Sequence, residues 1–287
     1  EDALRKDGLK RSEIAILYRS NAQSRVLEEA LLREKVPYRI YGGQRFFERA
    51  EIKNAMAYLR LLDGRGNDAA LERVINVPAR GIGEKSVETI REYARAHDVS
   101  MWEAIRLMVA AKTLPGRASG ALAGFIELIE NLAAKVLEMP LHLMTQTVIE
   151  QSGLIAYHKA EKGEKAQARI ENLEELVSAA RTFDNNEDDE LSPLQAFLSH
   201  ASLEAGDTQA AENEDSVQLM TLHSAKGLEF PQVFLVGMEE GLFPHKMSLE
   251  EPGRLEEERR LAYVGITRAM SKLVITYAET RRLYGTE

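Results

Sequence analysis

Residues 217–236 read VQLMTLHSAKGLEFPQVFLV, two apolar runs joined by a polar segment. The runs Val217–Leu222 and Val233–Val236 have the composition of buried β-strands. In open α/β sheets, ligands bind beside the ends of strands, in loops of this kind. The stretch therefore predicts an α/β domain in which the loop between two strands carries function.

The loop Thr221–Phe230 (TLHSAKGLEF) combines small, charged and hydrogen-bonding residues. Gly227 can adopt a positive φ and bring the backbone close to a ligand. Lys226 is a point charge suited to phosphate, and Glu229 can accept a hydrogen bond from a ribose hydroxyl. The whole segment favours a nucleotide-binding loop, although any one of these residues alone is typical of a plain connecting loop.

A second segment, Arg259–Ala269 (RRLAYVGITRA), predicts a helix from about Leu255 to Thr267. Arg268 follows the helix end, where its guanidinium can reach a γ-phosphate held by a neighbouring domain. An arginine here is also typical of a helix C-terminus, where the helix dipole favours positive charge. We expect Arg259 and Arg260 on the outer face, and four apolar side chains packed inward: Leu255, Ala262, Val264 and Ile266.

The N-terminal part of the chain predicts a strand–helix–strand unit. Glu13–Tyr18 reads as a buried strand, Asn21–Lys35 has helical periodicity, and Val36–Tyr41 reads as a second strand. A final strand is predicted at Lys272–Tyr277. The strands of such a βαβ unit are parallel and covered on both faces.

A long helical region lies between these strand-rich parts, divided by glycine- and proline-containing breakers. Its predicted helices lie at about 48–62, 68–75, 84–96, 100–110, 115–138, 141–152, 164–183 and 193–203. We therefore predict an α/β domain interrupted by a helical insertion. The first α/β segment is placed at 1–41, the insertion at 42–213 and the second α/β segment at 214–287.

The 287-residue chain has a formal net charge of −9, which at first argues against a nucleic-acid partner. Two acidic stretches without Lys or Arg account for this excess, and the rest of the chain is close to neutral. We interpret both stretches as solvated linkers, so net charge does not exclude DNA. Their acidic residues are Asp184, Glu187, Asp188, Asp189 and Glu190, and Glu204, Asp207, Glu212, Glu214 and Asp215.

The chain contains no cysteine, which fits a reducing cytosol and excludes thiolate metal sites. No metal site is predicted elsewhere in the sequence. No run approaches the ~20 apolar residues of a membrane span, and the first residues, EDALRKDGLK, do not resemble a signal peptide. We expect a soluble, cytoplasmic protein without a membrane partner.

The two functional segments resemble motifs of a known family. TLHSAKGLEF resembles motif V, and residues 257–269 (EERRLAYVGITRA) resemble motif VI, of UvrD-like superfamily 1A DNA helicases, the UvrD/Rep/PcrA family. In that family a RecA-like parallel-sheet subdomain, 2A, is interrupted by a helical subdomain, 2B. The resemblance covers about Glu13 to Tyr284 and implies the C-terminal half (2A and 2B) of an ATP-dependent 3′–5′ DNA helicase. Such a protein translocates on single-stranded DNA and unwinds duplex in DNA repair.

The resemblance also implies roles for individual residues. Glu229, with Gly227, would bind the nucleotide, and Arg268 would be the catalytic arginine finger on the γ-phosphate. Tyr284 is suited to strand binding, because bases stack on an aromatic face regardless of sequence. Alone, Tyr284 is also typical of packing, and His245 of an ordinary surface residue. The implied contacts to single-stranded DNA are Arg19, Asn21, Thr221, His223, His245 and Tyr284.

A glycine-containing turn at 80–85 (RGIGEK) leads into a predicted helix. Its backbone N–H groups and the positive helix end are suited to gripping phosphate without reading bases. Two glycines in a turn are weak evidence alone, but the equivalent turn in the family contacts duplex DNA ahead of the fork. The implied duplex contacts are Arg80, Gly81, Ile82, Gly83 and Lys85.

The sequence contains no G-x-x-x-x-G-K-[ST] phosphate loop. The resemblance places that loop and an acidic Mg²⁺ motif upstream, in an N-terminal RecA-like domain. ATP with Mg²⁺ would be held mostly there, so we expect no cofactor in this chain alone and no activity from it. The implied partners are single-stranded DNA, the duplex junction, the N-terminal RecA-like domain and excision- and mismatch-repair proteins, in a nucleoid-associated bacterial setting.

Two other functions remain open on the sequence. The helical insertion is also consistent with a non-catalytic DNA- or protein-docking regulatory module. The motifs are shared with RecB-like helicase–nuclease subunits, which require a nuclease domain beyond residue 287.

Overall fold

The computed structural model describes residues 7–184, 190–206, 214–250 and 253–280. The chain divides into two compact units: unit 1 consists of residues 1–48 and 205–287, and unit 2 of residues 49–204. Unit 1 thus contains both ends of the chain, and unit 2 is one continuous stretch. No helix in the described ranges is both long enough and apolar enough to span a bilayer.

Unit 1 is built on a parallel sheet with the strand order β2-β3-β1-β4-β5. The strands are β1 (Ile14–Tyr18), β2 (Tyr38–Ile40), β3 (Val217–Thr221), β4 (Phe230–Leu235) and β5 (Ala269–Ile275). The helices of this unit are α1 (Ser24–Arg33), α11 (Lys246–Glu250) and α12 (Arg254–Ile266), with short 3-10 helices at Arg11–Glu13, Asn21–Gln23 and Phe46–Glu48.

The two strands of the predicted βαβ unit are parallel but not neighbours. β3 lies between them: Leu219 of β3 is paired with Ile16 of β1 on one side and with Ile40 of β2 on the other. Periodicity identifies strands but contains no information on their order in the sheet. For this reason the sequence did not predict that β3 lies between β1 and β2. The sheet is therefore completed by a strand from the far side of unit 2 in the sequence.

Alternating side chains bury the two faces of the sheet against different helices. Ala15 and Leu17 belong to a cluster with Leu261 of α12, whereas Ile14 and Tyr18 belong to a cluster with partly buried leucines of α1. Successive strand residues point to opposite faces, so the two clusters lie on opposite sides. This confirms the prediction that the sheet is covered on both faces.

Two strands begin earlier than predicted, β4 at Phe230 and β5 at Ala269. Pro231 follows Phe230, and proline within a run weakens a strand signal because it has no N–H to donate. The sheet tolerates it at a register irregularity between Phe230 and Gln232. The residues 269–271 (AMS) lack the β-branched side chains on which the prediction relied.

The predicted inward face of α12 is confirmed for Ala262, which is partly buried against the core of unit 1, and is wrong for Leu255 and Ile266. Leu255 is 52% exposed and Ile266 44% exposed, while Glu258, Leu261 and Gly265 are buried. The close approach of the helix to the sheet at Gly265 explains the rotation. A Cβ atom at Gly265 would lie 2.5 Å from Cδ2 of Leu222, so only glycine fits there without movement.

Unit 2 consists of helices in the described residues, and their ends agree with the predicted ends to within a few residues. One helix was missed: Leu154–Glu161, which follows Gly153 in a left-handed conformation (φ +87°). It has only eight residues, too few for a clear apolar period. The helices are α2 (Ala50–Asp63), α3 (Asp68–Val74), α4 (Glu84–His97), α5 (Met101–Ala110), α6 (Gly116–Val136), α7 (Leu141–Gln151), α8 (Leu154–Glu161), α9 (Glu164–Thr182) and α10 (Pro193–Gly206).

The parallel sheet and the helical unit 2 confirm the predicted fold class, α/β with a mostly α-helical insertion. Two acidic residues depart from the linker interpretation. Glu204 lies in α10, with its Oε1 3.0 Å from Nε2 of His200. Asp215 accepts hydrogen bonds from the amides of Ser12 (2.8 Å) and Arg11 (3.0 Å), so it fastens the first 3-10 helix of unit 1. Glu187, Asp188, Asp189, Asp207 and Glu212 lie outside the described residues.

Candidate nucleotide and nucleic-acid sites

The carboxyl ends of the parallel strands gather several predicted DNA contacts at one edge of unit 1. Arg19 and Asn21 directly follow β1, and Thr221 and His223 lie at the end of β3 beside it. We call this the carboxyl edge. Asn21 and His223 are exposed there, whereas Arg19 and Thr221 are partly buried.

Arg19 is held by a buried carboxylate on α12. Its Nε lies 3.0 Å from both carboxylate oxygens of Glu258, and its Nη2 lies 2.7 Å from Oε1. Glu258 is only 3% exposed. It also accepts hydrogen bonds from the His245 amide (3.0 Å) and the Ser248 hydroxyl (3.1 Å). Glu258 therefore joins Arg19 and the His245 segment, two predicted strand contacts.

The surroundings of Glu258 favour its charged form. Burial pushes the pKa of this carboxyl upward, but the hydrogen bonds from Arg19, His245 and Ser248 outweigh burial and leave the pKa below its ordinary value. A low pKa keeps the negative charge that orients the Arg19 guanidinium.

The backbone of the Arg19 segment is fixed by Gln23. The Gln23 side-chain oxygen accepts hydrogen bonds from the amides of Arg19 (3.0 Å) and Ser20 (2.8 Å). Gly237, after β4, makes room for this side chain, since a Cβ there would lie 2.4 Å from Nε2 of Gln23. Gln23 thus sets the path of the chain where it leaves β1.

The loop between β3 and β4 runs from the carboxyl edge to the opposite, amino edge of the sheet. At its start, the Thr221 and Ser224 hydroxyls lie 3.0 Å apart, and Thr221 Oγ1 accepts the Ser224 amide at 3.3 Å. Gly227 has φ +85°, the left-handed conformation predicted for it. Lys226, Gly227 and Glu229 are exposed.

The loop and the end of α12 meet at the amino edge. Arg268 donates from Nη1 to the Leu228 carbonyl (2.9 Å), and its own carbonyl accepts the Phe230 amide (2.9 Å). Its Nε donates to the Val264 carbonyl (3.0 Å), which caps the helix end. Arg268 is therefore next to Glu229 in space, and it also makes the helix-terminal contact expected of an arginine there.

In unit 2, the side chain of Arg80 turns inward. Its Nη1 donates to the carbonyls of Val74 (3.0 Å) and Pro78 (3.1 Å). Its Nη2 donates to the Tyr58 hydroxyl (2.6 Å) and the Ser152 carbonyl (3.1 Å). Burial raises the pKa of Tyr58, and Arg80 only partly offsets this, so the phenol stays protonated. Arg80 thus uses its guanidinium inside the unit.

The turn after Arg80 presents its backbone outward. Ile82 is buried (1% exposed), whereas Gly81, Gly83 and Lys85 are exposed. Asn76 fixes the turn: its side-chain oxygen accepts the amides of Arg80 (2.7 Å) and Ile82 (3.2 Å). The side chains of Arg80 and Ile82 thus shape the turn from inside. The duplex contacts expected from the backbone of residues 80–85 stay a prediction.

Two predicted strand contacts remain, His245 and Tyr284. The His245 amide donates a hydrogen bond to Glu258, and His245 is partly buried. Tyr284 lies outside the described residues. The structure thus brings Arg19, Asn21, Thr221, His223 and His245 to one edge and Glu229 and Arg268 to another.

Comparison with known proteins identifies the family. Residues 2–280 match the family of UvrD-like helicase C-terminal domains. The chain belongs to this family. DNA helicase II of Escherichia coli (strain K12) is 65% identical to this UvrD-like chain over 277 residues, which cover 96% of the chain and 38% of that protein.

Two further relatives extend the comparison. DNA helicase II of Haemophilus influenzae is 59% identical over 283 residues (98% of this UvrD-like chain, 39% of the relative). The ATP-dependent DNA helicase PcrA of Bacillus subtilis is 44% identical over 282 residues (96% and 38%). The chain therefore spans less than two fifths of the length of these curated relatives.

Three residues that organise the sites were not predicted: Glu258, Gln23 and Asn76. Glu258 follows two other glutamates, Glu256 and Glu257, and looks like one of a solvated run. A signal was present, since Glu258 shares a helical face with Leu261 and Gly265. Gln23 and Asn76 act on neighbouring backbone amides, and a polar residue in a loop gives no sequence signal for that.

Proposed function

We propose that this chain is the C-terminal part of an ATP-dependent 3′–5′ DNA helicase that translocates on single-stranded DNA and unwinds duplex in DNA repair. The observation that carries the proposal is the division of unit 1 into two edges. Arg19, Thr221 and His223 lie at one, and Glu229 and Arg268 at the other. The 222–229 loop and α12 each connect the two edges.

Nucleotide binding is proposed at the amino edge. Glu229 is exposed and accepts the ribose hydroxyls, while the positive φ of Gly227 lets the backbone approach the nucleotide. Arg268 exchanges its carbonyl contacts for the γ-phosphate of ATP held by the N-terminal domain. A finger of this kind contributes ~10³–10⁵ to the rate of phosphoryl transfer in other systems.

Mg²⁺ is not assigned to residues of this chain. In the described ranges, no group of three or more His, Cys, Asp and Glu side chains could hold a metal ion. Mg²⁺ would neutralise phosphate charge when bound with ATP, and its ligands are proposed to belong to the N-terminal domain. The roles proposed for Glu229 and Arg268 do not involve it.

Single-stranded DNA is proposed to bind at the carboxyl edge. The Arg19 guanidinium and the exposed Asn21 and His223 side chains offer donors to phosphate, and the Thr221 hydroxyl and His245 adjoin them. Movement of the loop and α12 on ATP binding shifts these contacts by a step, and hydrolysis releases them. Tyr284 is proposed to add a base stack.

Duplex binding is proposed for the turn at 80–85 in unit 2. The Gly81 and Gly83 amides and the N-terminus of α4 face solvent, with Lys85 adding a charge. Such contacts grip phosphates without reading bases, as unwinding of any sequence requires. Excision- and mismatch-repair proteins are proposed as further partners on the family resemblance.

The finger role is tested with Arg268→Ala in the complete protein that contains this chain. We expect the kcat of DNA-stimulated ATP hydrolysis to fall by ~10³ or more, while the Kd for single-stranded DNA without nucleotide stays within a few-fold. Arg260→Ala is the matched control, because Arg260 is exposed on the same helix. ATP hydrolysis at the normal rate in Arg268→Ala would refute the role.

A further inference from the structure

Glu258 has the properties of a residue that positions others. It is 3% exposed on α12, whereas Glu256 and Glu257 on the same helix turn are exposed. Burying a carboxylate is unfavourable unless hydrogen bonds and opposite charge compensate for the lost water. The hydrogen bonds and the opposite charge that its partners supply therefore explain why the Glu258 carboxylate can be buried.

Those partners come from three separate segments at the carboxyl edge. Arg19 follows β1, the His245 amide belongs to the loop after β4, and Ser248 lies in α11. One carboxylate thus fixes the relative positions of two predicted strand contacts and of α12 itself.

The contact leaves part of Arg19 available. Glu258 occupies the Nε and Nη2 edge of the guanidinium, and Nη1 has no acceptor in the described parts of the chain. The Arg19 side chain is 18% exposed. A planar guanidinium held along one edge is already oriented to bind phosphate along its other edge. The Arg19 side chain then loses less conformational freedom on binding DNA, which improves affinity.

Helix α12 extends the arrangement toward the nucleotide side. Glu258 lies in its first half, and Arg268 follows its last residue, Ile266. At ~1.5 Å per residue, Glu258 and Ile266 are about 12 Å apart along the helix. Displacement of Arg268 would therefore be transmitted to Glu258 by a rigid helix.

We propose that Glu258 is a positioning residue that orients Arg19 and the His245 segment for the phosphates of single-stranded DNA and couples them to the helix that ends in Arg268. The proposal rests on the proposed function, because it assumes that Arg19 binds the strand. It adds a residue through which α12 connects the nucleotide site to the strand site. Coupling of this kind is reciprocal, so ATP binding changes strand affinity by the same factor as strand binding changes ATP affinity.

The test uses Glu258→Gln in the complete protein, with Glu257→Gln as the matched control. Glu257 is exposed, and among the described residues its ion-pair partner is Arg260, at 3.4 Å. We measure the Kd for a single-stranded oligonucleotide with and without a non-hydrolysable ATP analogue, and the Kd for the analogue alone. We expect Glu258→Gln to raise the DNA Kd about tenfold, to reduce the effect of the analogue on it, and to leave the Kd for the analogue alone unchanged.

Arg19→Lys provides an independent route that does not disturb the buried position. Lysine keeps the charge but cannot be held along a guanidinium edge. We expect Arg19→Lys to weaken DNA binding similarly, and the double variant to bind no more weakly than either single variant. Such non-additivity is the signature of two residues that act together.

The outcomes separate this inference from the proposed function. If Arg19→Ala leaves DNA binding unchanged, strand binding by Arg19 itself is refuted. If Arg19→Ala weakens DNA binding but Glu258→Gln behaves like Glu257→Gln, only the positioning role is refuted. Full additivity, or a loss confined to binding of the ATP analogue, would likewise overturn it.

Discussion

Asp215 shows how one carboxylate in an acidic stretch can be structural. The Ser12 amide, and next the Arg11 amide, hydrogen-bond the Asp215 carboxylate and hold its pKa below the ordinary aspartate value, although slight burial opposes this. A lowered folded pKa means that the charged form is stabilised by folding. Its contribution is complete above the ordinary aspartate pKa of about 3.9 and is lost as pH falls through the folded pKa.

Asp215→Asn should therefore destabilise unit 1 at pH 7, and the difference from the parent should shrink as pH falls below about 4. Urea midpoints measured across this range check the prediction. Asp184→Asn is the control, because Asp184 is exposed and its side chain makes no described hydrogen bond or ion pair. A difference that is independent of pH would show that the charge of Asp215 is not what stabilises the contact.

Gly265 lies where α12 approaches Leu222, the residue directly after β3. Because a Cβ there would lie 2.5 Å from Leu222, Gly265→Ala should lower the free energy of unfolding by ~1–3 kcal/mol through overpacking. Denaturant unfolding followed by circular dichroism measures this change. Gly124→Ala, on α6 where a Cβ would meet nothing within 4 Å, should instead be neutral or stabilising by up to ~1 kcal/mol.

The burial of single residues on α12 could not be predicted from the sequence. Glu256, Glu257 and Glu258 are chemically identical and consecutive, yet one is buried and two are exposed. The residue classes predicted a helix there but assigned Leu255 and Ile266 to its inner face. Close approach at Gly265 decided the rotation of α12 instead, and such an approach depends on Leu222, which is distant in the sequence.

At the scale of elements, the turn at 80–85 separates shaping residues from surface residues. Arg80 and Asn76 fix its backbone, while Lys85 is exposed. Helix ends in unit 2 were predictable because glycine and proline mark them locally. The inward orientation of Arg80 was not, because its acceptors include Tyr58 and Ser152, on other helices or loops.

Salt dependence distinguishes the two kinds of residue in the complete protein. Lys85→Ala should reduce the slope of log K for duplex junctions against log salt concentration by ~0.9, the value for one lost phosphate contact. Arg80→Lys keeps the charge but not the planar set of donors, so affinity should fall about tenfold with the slope unchanged. Full affinity in Arg80→Lys, together with a reduced slope in Arg80→Ala, would make Arg80 a direct phosphate contact.

At the scale of the whole molecule, the 287 residues contain motif V- and motif VI-like segments but no phosphate loop. The chain expressed alone should therefore show no ATP hydrolysis above background, with or without single-stranded DNA, in a phosphate-release assay. Addition of DNA to the complete protein is the positive control. Turnover by the chain alone that is lost in Arg268→Ala would contradict the prediction.

The order of strands in unit 1 also constrains how the chain is made. β1 and β2 do not pair with each other, because β3 lies between them. β3 is synthesised only after the whole of unit 2. Unit 2 is one continuous stretch and can fold as it leaves the ribosome. Until β3 is synthesised, β1 and β2 have unpaired edges. Pairings of such long sequence separation form slowly. During synthesis, the incomplete sheet of unit 1 is therefore exposed to mispairing and aggregation.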